Sequence, residues 1–239
     1  FKGGDRTNIE LPKVQREFLK ALKAAGKKVV FVNCSGSAIA LTPESQSCDA
    51  ILQAWYPGQE GGEAVARVLF GEYNPAGKLP VTFYRNSNQL PDFKDYSMKG
   101  RTYRYMNDAL FPFGYGLSYT SFKIGDAQLS SNTLKKGEQI KLTIPVSNVG
   151  KKDGTEVVQV YVKDPADTEG PLKSLKAYQR VTVKAGQTAQ AEITLDSKNL
   201  ELFDAATNTV HAKAGSYELY YGNSSADKDL KKIMLTYSY

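Results

Sequence analysis

The stretch IKLTIPVSNVGKKDGTEVVQVYV, residues 140–162, decides the fold of the second half of the chain. Ile140, Leu142, Ile144 and Val146 alternate with Gln139, Lys141, Thr143 and Pro145. A period of two is that of a strand with one buried face. Asn148-Val149-Gly150 then makes a turn, and Val158, Val160 and Val162 alternate with Val157, Gln159 and Tyr161. The same period returns in Ala189–Leu195, in Tyr217–Tyr221 and from Ile233 to Tyr239. With strands near Lys123–Leu129 and Leu175–Val183, the count reaches about seven, an immunoglobulin-like or fibronectin-III-like sandwich.

Moving towards the N-terminus, the period changes between Gly114 and Thr120. Leu11, Val14, Phe18, Leu22 and Ala25 recur at helical spacing, with Pro12 in the first turn and Gly26 just past the end. Val29–Val32 and Ala50–Trp55 are short apolar runs of the kind that form strands covered on both faces. Gly61-Gly62 open a second helix that Gly71 closes, and Leu79–Tyr84 reads as a further strand. Strands alternating with helices specify a parallel sheet. The fold class expected is thus α/β, a partial parallel-sheet sandwich domain over residues 1–116, followed by an all-β sandwich over residues 117–239. The α/β part supplies only two or three strands and opens on a helix, as the tail of a longer protein would.

The 239 residues, 41% hydrophobic and 23% charged, are those of a globular protein with room for two cores. No apolar run approaches the roughly 20 residues that cross a bilayer, so no membrane insertion is expected. The chain starts Phe1-Lys2-Gly3, with neither Met nor a signal segment, which reads as a mature or cut piece. The formal charge of +6 is spread over isolated pairs such as Lys27-Lys28 and Lys151-Lys152, so nucleic acid is not an expected partner. Cys34, Cys48 and His211 are too few for a zinc site, and no metal or other cofactor is expected. Cys34 ends one strand and Cys48 begins the next, at opposite ends of a parallel sheet, so both are expected as buried free thiols.

Asn33-Cys34-Ser35-Gly36-Ser37 lacks the first glycine of a nucleophile elbow and reads as a structural turn. Pro57-Gly58-Gln59-Glu60-Gly61-Gly62 matches neither a phosphate loop nor a dinucleotide fingerprint, and reads as a tight turn. Asp5, Glu10, Glu60, Glu63 and Asp108 can each border a cleft, but no pair stands out by spacing as a glycosidase dyad.

GGDRTNIELPKVQREFLKAL, AWYPGQEGGEAVARVLFGEYNPAGKLPVTFYRNSNQLPDF, GRTYRY and LFPFGYGLSYTSF resemble the C-terminal half of family 3 glycoside hydrolases, the β-glucosidases and β-xylosidases. VSNVGKKDGTEVVQVYV and LKSLKAYQRVTVKAGQTAQAEITL are similar to that family's fibronectin-III-like domain. The resemblance spans essentially the whole chain. It implies a retaining, exo-acting hydrolase of terminal β-linked sugars in plant-type glycans. It also implies a carbohydrate substrate, an N-terminal barrel domain as partner and a periplasmic or secreted location. In the family the barrel carries an Asp nucleophile, and a Glu acid/base precedes the Gly-Gly-Asp-Arg with which this chain begins. Neither carboxylate is therefore expected in residues 1–239, and the chain alone is expected to be inactive. Asp5 and Arg6 match the family's Asp-Arg and are expected to brace the acid/base loop. Arg104 and Tyr105, with Tyr103, are candidates to face the cleft and bond sugar hydroxyls. Phe111, Phe113, Tyr115 and Tyr119 are assigned to packing at the domain junction, and Trp55 to the core. A non-catalytic carbohydrate-binding or structural module is the alternative.

Overall fold

A computed structural model describes residues 7–239. Asp5 and Arg6 lie outside the described residues. The chain divides into two compact units. One takes the residues up to Tyr73 with Val81–Thr102 and Met106–Pro112. The other takes Asn74–Pro80, Tyr103–Tyr105 and Phe113–Tyr239.

In the first unit, helix α1 spans Lys13–Ala24 with Pro12 at its N-cap. Gly26 adopts φ +69°, and two bonds close the end: Gly26 N–H to Lys23 C=O at 3.0 Å and Lys27 N–H to Leu22 C=O at 3.1 Å. This is the Schellman pattern, in which a left-handed glycine lets the chain satisfy the last helical carbonyls. Strand β1 (Val30–Asn33) pairs in parallel with β2 (Ala50–Gln53), from Val30 opposite Ala50 to Asn33 opposite Gln53. The crossover between them carries the short helix α2, Thr42–Ser47. The start of the sheet is fixed by Asp49, whose carboxylate accepts the Val29 N–H at 2.9 Å with Lys28 and Lys23 close by. The Val29 amide, then Lys28, hold that carboxyl down at about 2. Helix α3, Gly61–Leu69, follows β2, and Gly71 at φ +77° ends it.

Four expectations for this unit need correction. The apolar stripe of α1 is not all core: Leu11 and Leu19 are buried, but Val14 and Phe18 are 73% and 63% exposed. The inward face of α1 is instead turned to α2, where Arg16 bonds the buried Glu44 at 2.7 Å. Leu79–Tyr84 forms no strand. Pro80 removes a ladder donor, and what remains is a single antiparallel bridge between Phe83 and Phe111. Trp55 lies beyond β2, at φ +56° and half-buried, with its ring edge-on to the buried Phe83 at 6.1 Å. Cys34 and Cys48 are free thiols, but neither is buried: Cys34 is exposed and Cys48 intermediate. They flank the two-stranded sheet at its opposite ends, where side chains reach solvent.

The one-turn helix α4, Thr102–Tyr105, precedes the second unit's strands. These are β3 (Phe122–Ile124), β4 (Gln128–Leu129), β5 (Thr133–Lys135), β6 (Ile140–Asn148), β7 (Gly154–Lys163), β8 (Ser174–Val183), β9 (Thr188–Leu195), β10 (Leu202–Asp204), β11 (Thr209–His211), β12 (Gly215–Gly222) and β13 (Leu230–Ser238). One sheet runs β5-β13-β12-β7-β8; in the other, β6 pairs with β3 and β4 and with β9. Leu142, Ile144, Val146, Val158, Val160 and Leu219 are sealed between the sheets. Burial of each such side chain contributes roughly 1.5–3 kcal/mol. The sandwich expected from the alternation is therefore present, with additional short strands. The Lys123–Leu129 segment is split into β3 and β4, and between them Gly125 lies close against Pro145, where an added Cβ would be 2.9 Å from Pro145 Cβ.

Strand β7 departs from one-sided alternation, because Gln159 and Tyr161 are as buried as the valines between them. Its outer face is covered from within the same unit. Tyr103 stacks on Phe113 at 4.4 Å, and both rings stand edge-on to Tyr161. Gln159 Nε2 donates to the carbonyls of Gly114 and Asn223, each at 3.0 Å. Glu156 of the same strand, itself buried, pairs with the partly buried Lys78 at 2.8 Å. Among the described residues, no helix is long and apolar enough to cross a membrane.

Candidate functional site

In a parallel sheet the loops at the carboxyl ends of the strands are free to bind, because the strands deliver their last side chains into one crevice. Here β1 ends in Asn33 and β2 in Gln53, directly opposite one another. Asn33 Nδ2 donates to Gln53 Oε1 at 2.6 Å and to Ser35 Oγ at 3.0 Å. Gln53 Nε2 donates to the carbonyl and hydroxyl of Ser35, both at 3.3 Å. Ser35 Oγ in turn donates to Ser37 C=O at 2.9 Å. Asn33 and Ser35 are buried, so the network locks the turn after β1 to the end of β2.

The second loop is held by close approach. Tyr56 is 79% exposed, yet its ring edge passes over Gly36, where a Cβ would meet Tyr56 Cε2 at 2.4 Å. Trp55 just before it sits at φ +56°, a conformation that costs a non-glycine residue of order 1–3 kcal/mol and collects at functional sites. A turn bond from Gly61 N–H to Gly58 C=O at 3.0 Å then leads into α3. The result is a rigid rim of amides, hydroxyls, two aromatic rings and the exposed Cys34. None of these groups supplies a carboxyl for acid–base or nucleophilic work.

The carboxylates named from sequence are dispersed. Glu10 accepts both the amide and hydroxyl of Ser87, at 2.8 and 2.6 Å. Burial raises its pKa, but the Ser87 bonds and Arg16 outweigh that and leave it lowered, as for a structural anchor. Asp108 holds Arg85 at 2.8 Å, Glu63 lies 4.0 Å from Arg67, and Glu60 is exposed at the N-cap of α3. Arg104 and Tyr105 are neighbours in α4: the guanidinium carbon stands 5.8 Å from the Tyr105 ring centre. The Arg104 carbonyl accepts Leu172 N–H at 2.7 Å, and the Tyr103 hydroxyl accepts Leu175 N–H at 3.0 Å. Tyr103 is thus a packing residue of the second unit rather than a group free to reach sugar. Phe111 packs on Phe83 in the first unit. The amide pair Asn33–Gln53 was missed from sequence, although polar residues ending two apolar runs were the available signal.

A model of the glycosyl hydrolase family 3 C-terminal domain matches residues 2–119, and a model of a fibronectin type III-like domain matches residues 156–225. A xylan 1,4-β-xylosidase of Xylanibacter ruminicola is 64% identical over 99% of this chain and 27% of its own length. A periplasmic β-glucosidase of Salmonella typhimurium is 38% identical over 94% of this chain and 31% of its own. The crystal structure of a β-glucosidase from Bifidobacterium adolescentis superimposes with a TM-score of 0.85 at 32% identity, covering 99% of this chain and 37% of that one. The chain therefore spans about a third or less of the length of the curated relatives it matches.

Proposed function

Because the chain belongs to glycosyl hydrolase family 3, as the counterpart of that family's C-terminal and fibronectin-like domains, we propose that it is the C-terminal part of a retaining, exo-acting β-glycosidase. The substrate class is terminal β-linked xylose or glucose of plant-type glycans. Near-complete coverage of this chain at 64% identity by a xylan 1,4-β-xylosidase carries the reading and favours xylose. The nucleophile and the acid/base both belong to the polypeptide before residue 1, and a barrel domain there is the partner of residues 1–239. Residues 1–116 then form the family's α/β domain and 117–239 its fibronectin-like domain. Asp5 and Arg6 brace the acid/base loop, while the rim at Asn33, Tyr56 and Trp55 borders the sugar. Arg104 and Tyr105 are further candidate sugar contacts, carried by a turn whose Arg104 carbonyl is held by Leu172 N–H. The name of the Salmonella relative supports a periplasmic location.

The test is the stereochemistry of the parent polypeptide acting on 4-nitrophenyl β-xyloside and β-glucoside, followed by proton NMR. A double displacement releases the β-anomer first, which then mutarotates. First release of the α-anomer, or no hydrolysis of either glycoside, contradicts the proposal.

A further inference from the structure

We propose that Glu44 is the socket for Arg6: its second carboxylate oxygen accepts the Arg6 guanidinium, and this ion pair anchors the acid/base loop that precedes Arg6. The inference rests on the reading that Asp5 and Arg6 brace that loop, and it names the positioning residue they brace against. Arg6 itself lies outside the described residues; the socket lies within them.

The first observation is an orphaned acceptor. Glu44 of α2 is 1% exposed, and Arg16 meets it side-on, with Nε 2.7 Å from Oε1. A guanidinium that grips a carboxylate with its fork makes two parallel bonds. Here one is made, and Glu44 Oε2 and Arg16 Nη2 are both buried with no hydrogen-bond partner among the described residues. A buried carboxylate oxygen without a donor bears the desolvation penalty of a charged group, which points to a further donor.

The second is charge. Glu10 also feels the Arg16 guanidinium, after burial and its bonds to Ser87. Two carboxylates thus share one cation, and the cluster is short of a positive charge. Lys13 and Lys23 of α1 do not make it up, because they face Glu17 at 3.6 Å and Asp49 at 3.4 Å. The third is reach. The Ile9 carbonyl accepts the Ala40 N–H at 2.9 Å, and Glu10 bridges Ala40, which stands four residues before Glu44. Arg6 is three residues from Ile9, at most about 11 Å of chain, whereas Lys2 is seven residues away. An arginine also keeps its charge on burial and offers several donors in a fixed plane, which suits a half-occupied carboxylate.

The experiment compares the parent polypeptide with its Arg6→Ala, Glu44→Gln and double variants on two substrates, phenyl and 2,4-dinitrophenyl β-xyloside. Phenolate needs a proton from the acid/base to leave, whereas dinitrophenolate leaves without one, so kcat/KM for the pair separates a displaced proton donor from general damage. Rates are taken per active site, counted by the burst of dinitrophenolate from the 2-deoxy-2-fluoro glycoside, so that unfolded molecules do not contribute. Each single variant is expected to lose at least about tenfold on the phenyl glycoside and less than about threefold on the dinitrophenyl glycoside. The double variant is expected to match the singles within about threefold, because both remove the same ion pair. Losses that multiply in the double variant overturn the socket while leaving Arg6 as a brace. Equal losses on both glycosides overturn it as well, since they report structure alone. Arg6→Ala within twofold of native on the phenyl glycoside overturns the socket and the brace together.

Discussion

Purified residues 1–239 release no 4-nitrophenol from aryl β-xylosides or β-glucosides above the rate of buffer alone. A retaining glycosidase needs two carboxyl groups about 5–5.5 Å apart across the scissile bond, one nucleophilic and one able to donate a proton. The rim at the ends of β1 and β2 offers amides, hydroxyls and rings. Four acidic side chains of the first unit are engaged in structural contacts: Glu10 with Ser87, Glu44 with Arg16, Asp49 with the Val29 amide and Asp108 with Arg85. The Glu10 and Asp49 pKa values are lowered, opposite to what a proton donor at neutral pH requires. A continuous assay with prolonged incubation checks this, and turnover that scales with the concentration of the pure chain contradicts it.

Replacing Gly114 by Ala destabilises the second unit by about 2–5 kcal/mol, summed from two costs. Gly114 is at φ +77°, where an alanine pays about 1–2 kcal/mol. An added Cβ would also fall 1.9 Å from Gln159 Oε1. Gln159 cannot yield without loss, since its amide ties the Gly114 and Asn223 carbonyls and its oxygen accepts the Tyr161 hydroxyl at 2.5 Å. A buried group stranded by that shift adds about 1–3 kcal/mol. Gly186→Ala is the control: φ is +72°, but nothing lies within 4 Å of the new Cβ. Urea unfolding followed by tyrosine fluorescence is expected to place Gly114→Ala well below Gly186→Ala. Equal midpoints would mean that the Gln159 contact carries no weight.

These two glycines also mark how far sequence alone reaches. The period-two runs around Ile140–Val162 are legible because a sandwich strand has one core face, and the pattern there is the burial itself. Gly26 and Gly71 are legible because a helix end that turns left-handed needs them. Gln159 and Tyr161 mislead for the opposite reason. Polar and aromatic residues on the outer face of a strand normally meet water, whereas here distant residues Tyr103, Phe113 and Gly114 cover them. Val14 and Phe18 mislead in the other direction, because periodicity reports an apolar face without saying what it is turned to. Leu79–Tyr84 has the composition of a strand, but Pro80 takes away the ladder bond that composition cannot see. The amide pair Asn33–Gln53 is a tertiary fact: the partners stand 20 residues apart and meet only once the parallel register is set.

The most direct measurement is covalent trapping in the parent polypeptide. A 2-deoxy-2-fluoro-β-xylosyl fluoride arrests a retaining enzyme at the glycosyl-carboxylate ester, and peptide mass spectrometry then reads which residue holds the sugar. The modified aspartate is expected on a peptide preceding residue 1, with every carboxylate of residues 1–239 unlabelled. A fluorosugar ester on any Asp or Glu within residues 1–239 contradicts the account.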